Sequence, residues 1–148
     1  MQLRTIEGLW SDILQMAHKR LKKAGLAIIF FWFLIGGIGH FLAPDFFLKI
    51  VPPDLPFRIQ AVYISGFFEL LGAIGLCHNK TRRMAGIGLF VLTIAVTPAN
   101  VYMWTHPQLF PTIPEILLGL RLILQLALLA TIWWATFSDL GTKHPHHI

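Results

Sequence analysis

Residues 116–137 read ILLGLRLILQLALLATIWWATF, 22 residues carrying one charge. A helix needs about 20 mostly apolar residues to cross roughly 30 Å of hydrocarbon. Three more stretches meet that length: 25–43, GLAIIFFWFLIGGIGHFLA; 58–77, RIQAVYISGFFELLGAIGLC; and 84–104, MAGIGLFVLTIAVTPANVYMW. Lipid offers the backbone no hydrogen-bond partner, so a spanning segment is a helix or part of a closed barrel. The strict apolar–polar alternation of barrel strands is absent. The stretches therefore predict an all-α, integral membrane four-helix bundle. It forms one domain over 1–148, with an amphipathic segment at 1–24 and a polar tail at 138–148.

The composition agrees. Of 148 residues, 55% are hydrophobic and 13% charged, about half the charge of a soluble domain. Mean hydropathy is +0.66. A soluble domain this small has too much surface to cover with so few charges. A disordered chain and a disulfide scaffold are excluded as well. The single cysteine, Cys77, forms no internal disulfide and rules out a multi-thiolate zinc site. It reads as a small apolar residue near a helix end. No metal site is expected; His144, His146 and His147 read as a solvated tail. The net charge is +5, but five basic residues lie before residue 24, beside an apolar run. Anionic lipid fits them better than nucleic acid. No phosphate-binding loop or zinc-finger spacing is present.

The N-terminal stretch repeats Leu3, Ile6, Trp10, Ile13, Leu14, Ala17 and Leu21 at helical spacing. Arg4, Ser11, Asp12, Gln15, His18, Lys19 and Lys22 take the other face. Such a helix lies in the membrane interface. No small-residue cleavage site follows, so an anchor is expected rather than a signal peptide. The first connection holds four prolines around FFLKIV, which is expected at the interface. The third holds Pro107, Pro111 and Pro114 and no Lys or Arg. Of the basic residues outside the spans, nine lie in the N-terminal segment, second connection and tail. Lys49 lies in the first connection, and Arg58 stands at its boundary with the second span. Basic residues favour the cytoplasmic side. The expected orientation is N-in and C-in across a cell (inner) membrane.

Glu69 and Arg121 are the charges well inside the spans, twelfth of 20 and sixth of 22. A charge at mid-bilayer costs roughly 2.5–3.5 kcal/mol on insertion scales and faces a helix-bundle interior or cavity. Pairing with each other is the simplest expectation, a shared cavity the next. Ser65, Glu69, Gly72 and Ala73 share one helix face, as do Gly86, Thr93, Thr97 and Asn100. Gly36, Gly37 and His40 do so on the first span; Arg121 and Gln125 are one turn apart on the fourth. Small residues allow close approach and polar ones bond across helices. With N-in orientation, His40, Ser65, Thr97, Asn100, Arg121 and Gln125 fall in the outer half and Glu69 marks the floor. The candidate site is an outward polar pocket of those seven residues, with Pro98 freeing a nearby carbonyl. The structural reading stands beside it: a Glu–Arg pair fixes helix register, Thr93 and Thr97 bond their own helix, and His40 is a satisfied interior histidine.

The blocks GIGHFLAPDFFLKIVPPDLP, SGFFELLGAIGL, RRMAGIGL, IAVTPANVYM and LRLILQ, in that order, resemble DoxX-like integral membrane proteins over 25–137. The resemblance implies a four-helix membrane bundle. It carries over to His40, Pro44, Pro52, Ser65, Gly66, Glu69, Arg83, Pro98, Asn100, Arg121 and Gln125, and assigns none of them a catalytic role. It implies association with quinone-linked oxidation of sulfur compounds, with oxidative-stress complexes or with receptor assembly.

Three functions follow. The leading one is a non-catalytic subunit or accessory factor of a membrane complex, with a partner protein. The second is a quinone-binding subunit of a redox complex, with His40 and Glu69 as hydrogen-bond or proton-exchange partners. The third is a small-molecule or lipid binder or transporter. A bis-histidine haem needs two histidines inside helices, and His40 is the one in a helical core. No catalytic constellation is evident, and a quinone is the one cofactor that enters, through the second function.

Overall fold

The computed structural model describes residues 6–137. Leu3, Arg4 and the 138–148 tail with its histidines and Lys143 lie outside them. The described residues form α1 (Ile6–Leu42), α2 (Pro44–Ile50), α3 (Arg58–Leu76), α4 (Arg82–Ala95), α5 (Thr97–Thr105) and α6 (Glu115–Phe137), with a 3₁₀ turn at Pro107–Leu109. The architecture is all-helical. Four helical segments are long and apolar enough to cross a membrane: α1, α3, α4 continued by α5, and α6. The chain is a multi-pass membrane protein.

The expected spans at 58–77 and 116–137 match α3 and α6 closely. The first differs. α1 runs unbroken for 37 residues, through the boundary expected between 24 and 25. Lys19, Arg20, Lys22 and Lys23 lower the hydropathy there, but all are good helix formers, so nothing stops the helix. At 1.5 Å per residue α1 is about 56 Å long, well beyond roughly 30 Å of hydrocarbon. Its N-terminal part leaves Ile6, Leu9, Trp10, Ile13, Leu14 and Leu21 exposed.

α1 stops where Pro44 restricts the residue before it; Ala43 departs from helical geometry and Pro44 starts α2. α2 is thus the helical form of the apolar stretch in the first connection, and it buries Ile50. Arg58 ties the connection down. Its Nη2 donates to the carbonyls of Leu48 at 2.6 Å and Val51 at 2.8 Å, supplying partners near the end of α2 that the helix cannot supply. At the other end of α3, Thr81 Oγ1 donates to the Gly75 carbonyl at 2.7 Å and Arg82 Nε to that of Leu76 at 3.2 Å. Arg58 and Arg82 thus serve helix-end carbonyls.

The third span is two helices. Pro98 has no N–H to give the carbonyl four residues back. The helix breaks at Val96, and α5 restarts with Pro98 in its first turn.

α1 packs most extensively on α3, α3 on α4, and α6 on both α1 and α4. α3 and α6 face each other diagonally. The α1–α3 crossing is tight because both helices are glycine there. A Cβ on Gly66 would lie 2.6 Å from Cβ of His40, and one on Gly37 would lie 2.8 Å from Cγ of Leu70. Two apolar clusters occupy the interior. Ile29, Phe33, Ala73, Leu76, Leu89, Leu128, Ile132 and Ala135 fill one end. Ile50, Met103, Phe110 and Leu118 fill the other, under α2 and the third connection. The buried polar residues His40, Thr93, Asn100 and Gln125 lie between them. The outer faces are rich in exposed Phe, Ile and Leu, as lipid-facing surfaces are.

Candidate functional site

Each helix brings part of the polar layer. α1 supplies His40, which is 9% exposed and is placed by the glycine crossing beside it. α3 supplies Ser65 and Glu69 one turn apart. α5 supplies Thr97 and Asn100, and α6 supplies Arg121 and Gln125.

The seven expected residues fall into two groups on opposite walls. On the α1–α3 wall, His40 Nε2 stands 3.6 Å from Glu69 Oε1. Glu69 Oε2 lies over Gly36, where a Cβ would come within 2.8 Å of it. The carboxylate thus lies against the glycine face of α1. The imidazole stacks on Phe47 of α2, with ring centroids 3.9 Å apart and planes 24° from parallel. His40 Nδ1 is buried and has no hydrogen-bond partner among the described residues.

On the α5–α6 wall, Arg121 Nε donates to Asn100 Oδ1 at 2.9 Å. Asn100 Nδ2 donates to Gln125 Oε1. Gln125 Nε2 donates to Thr97 Oγ1 at 2.6 Å, and Thr97 Oγ1 to the Thr93 carbonyl at 3.3 Å. Thr93 bonds its own helix at the Leu89 carbonyl, 2.7 Å away, so both threonines make the backbone bonds expected of them. The chain leaves no amide of Asn100 or Gln125 without a partner, as buried polar groups require.

Between the walls lies a cavity of about 470 Å³. His40, Ser65, Glu69, Asn100 and Arg121 contribute to its lining, and α2 with Val51, Pro52 and Leu55 closes it from the connection side. Thr97 and Gln125 do not line it; they stand behind Asn100. A smaller space of about 70 Å³ adjoins it and shares Glu69, Asn100 and Arg121. At about 30 Å³ per water that space suits one or two waters.

The direct Glu69–Arg121 ion pair, the simplest sequence expectation, is not formed. Among the described residues, the ion pair of Glu69 within 4.0 Å is with His40, and Arg121 bonds Asn100 and Met103. The reason is topological. α3 and α6 are diagonal neighbours, and the cavity separates their side chains. The second expectation, a shared cavity, describes the observed arrangement.

Two contributors escaped the sequence reading. Phe47 is brought to His40 by the fold of the first connection, which no local pattern announces. Met103 Sδ accepts from Arg121 Nη1 at 3.6 Å. It is three residues from Asn100, hence on the same helical face, and that spacing was the available signal.

The chain belongs to the family described as Domain of unknown function (DUF8561), whose model matches residues 28–136. That match takes in all seven candidate residues. No curated protein and no solved structure matches the chain.

Proposed function

We propose that this member of the DUF8561 family is a membrane-embedded binding protein whose four spans form a bundle around a site for a lipophilic small molecule. One observation carries the reading: a cavity of about 470 Å³ at the depth of the spans, mostly apolar, with a His–Glu pair on one wall and an Arg–Asn pair on the other. Small-molecule sites of roughly 300–1,000 Å³ have this make-up of apolar lining and few placed polar groups. Ionisable groups inside a membrane are costly and by default mark a functional site.

The chain is taken as DoxX-like, in a cell (inner) membrane with N-in and C-in orientation. The first part of α1 is an amphipathic helix in contact with the cytoplasmic interface, where its lysines and arginines meet anionic lipid. A quinone is one occupant that the cavity would admit, and its retention would make the protein a subunit of a redox complex.

A second reading is favoured by the closed chain Arg121–Asn100–Gln125–Thr97. A layer that satisfies itself can serve to fix helix register in a non-catalytic subunit or accessory factor, with the partner protein engaging the outer connections.

Purification in a mild neutral detergent separates the two, with mass spectrometry of both the organic extract and the co-purifying proteins. The binding reading expects one class of lipophilic molecule at near-equimolar amount, reduced in a folded Ser65→Phe variant. An empty cavity with a stoichiometric membrane protein partner would replace it with the accessory reading.

A further inference from the structure

Arg121 is a permanent cation inside a membrane span, and its protein contacts underserve it. A guanidinium has five N–H donors. Here Nε has a good acceptor in Asn100 Oδ1 at 2.9 Å, and Nη1 has the Met103 thioether at 3.6 Å, a weak one. Nη2 takes no protein acceptor among the described residues. The carboxylate that shares its cavity stands on the opposite wall, with Glu69 Oε1 3.6 Å from His40 Nε2 and Oε2 over Gly36, so it acts on Arg121 across the cavity and not by direct contact. Arg121 and Glu69 both line the cavity, yet among the described residues Arg121 has no carboxylate within ion-pair distance. A cation out of water is stabilised by a close, geometrically matched anion, and the planar guanidinium edge matches a carboxylate or phosphate with two parallel hydrogen bonds.

Resting on the reading of this cavity as a binding site, we propose that its ligand is a single-chain lipophilic anion. The anionic oxygens sit on the free edge of Arg121. The chain lies along Val51, Pro52, Leu55, Val62 and Val96, which line the rest of the space. Asn100 holds the guanidinium in place through Nε, and Gln125 holds Asn100. Glu69 lines the opposite wall, so the Arg121 side is the anion-accepting end, away from the like charge.

The test is ligand-induced thermal stabilisation of the full chain in a neutral maltoside detergent. The probes are dodecanoate, dodecyl phosphate, 1-dodecanol and decylubiquinone, applied to wild type and to Arg121→Gln. A ligand that binds the native state raises the melting temperature with concentration. The proposal expects one or both anions to stabilise wild type at concentrations at least tenfold below dodecanol, and Arg121→Gln to lose that advantage. Dodecanoate acting alone identifies a carboxylate, and dodecyl phosphate acting alone a phosphate monoester. The wild-type comparison of anion with alcohol decides the matter even if Arg121→Gln does not fold. Dodecanol or decylubiquinone matching the anions in wild type would overturn the anionic head and leave the cavity reading standing. No stabilisation by any probe would overturn both.

Discussion

Arg121 donates Nε–H to Oδ1 of Asn100 at 2.9 Å, and Asn100 turns its amide nitrogen to Gln125. One asparagine therefore joins a half-buried cation on α6 to a buried amide one turn further along the same helix. Removing it strands both. Asn100→Ala is expected to destabilise the detergent-solubilised protein by about 1–3 kcal/mol for the groups left unsatisfied. Hydrogen bonds between membrane helices average about 0.6 kcal/mol. A double-mutant cycle of Asn100→Ala with Gln125→Ala should give coupling at or above that value. Additive losses, within about 0.5 kcal/mol, would show that the two amides do not act together.

The glycine crossing that places His40 makes a second expectation. A Cβ on Gly66 meets Cβ of His40 at 2.6 Å, so Gly66→Ala must push α1 away from α3. Overpacking of this kind costs about 1–3 kcal/mol. Gly88 is the control, since no described residue comes within 4 Å of its added Cβ. Gly88→Ala should be neutral or stabilise by up to about 1 kcal/mol through helix propensity. Thermal melts of the two variants check this; equal effects would contradict the close crossing.

Phe57, just before α3, has φ 55° and ψ 39°, the left-handed region that costs a side chain about 1–2 kcal/mol. The residue is 75% exposed, so little packing is lost with its ring. Phe57→Gly is expected to raise the melting temperature. A fall would mean that the ring is anchored by something that surrounds the protein, lipid included.

Orientation is open to a direct check. A reporter active only in the cytoplasm, fused after residue 148, should be active. One active only across the membrane should be silent in that position and active when inserted in the third connection, near Gln108. The reverse pattern would invert the N-in assignment.

Much of the fold was legible because lipid leaves few choices. Apolar runs of spanning length must be helices, and their lengths predicted α3 and α6 closely. The unbroken α1 was not legible, because hydropathy marks where a chain enters lipid rather than where a helix begins. Lys19 to Lys23 lower the hydropathy without interrupting the helix. Pro98 was noticed as a freed carbonyl, and the structure shows the larger effect, a break at Val96. The candidate residues were found because each is out of place in lipid. Which of them touch is a question of helix order around the interior, and hydropathy carries nothing about order. That is why Glu69 meets His40 and not Arg121, and why Phe47 went unseen.

The proposed binding site requires a lipophilic molecule in the space between the two polar walls while the protein is in its membrane. Native mass spectrometry of the protein released gently from its own membranes reads this most directly. A one-to-one adduct of a defined small mass is expected on wild type, and its loss from a folded Ser65→Phe variant that fills the cavity. A bare wild-type mass, or an adduct that persists unchanged in Ser65→Phe, would contradict it.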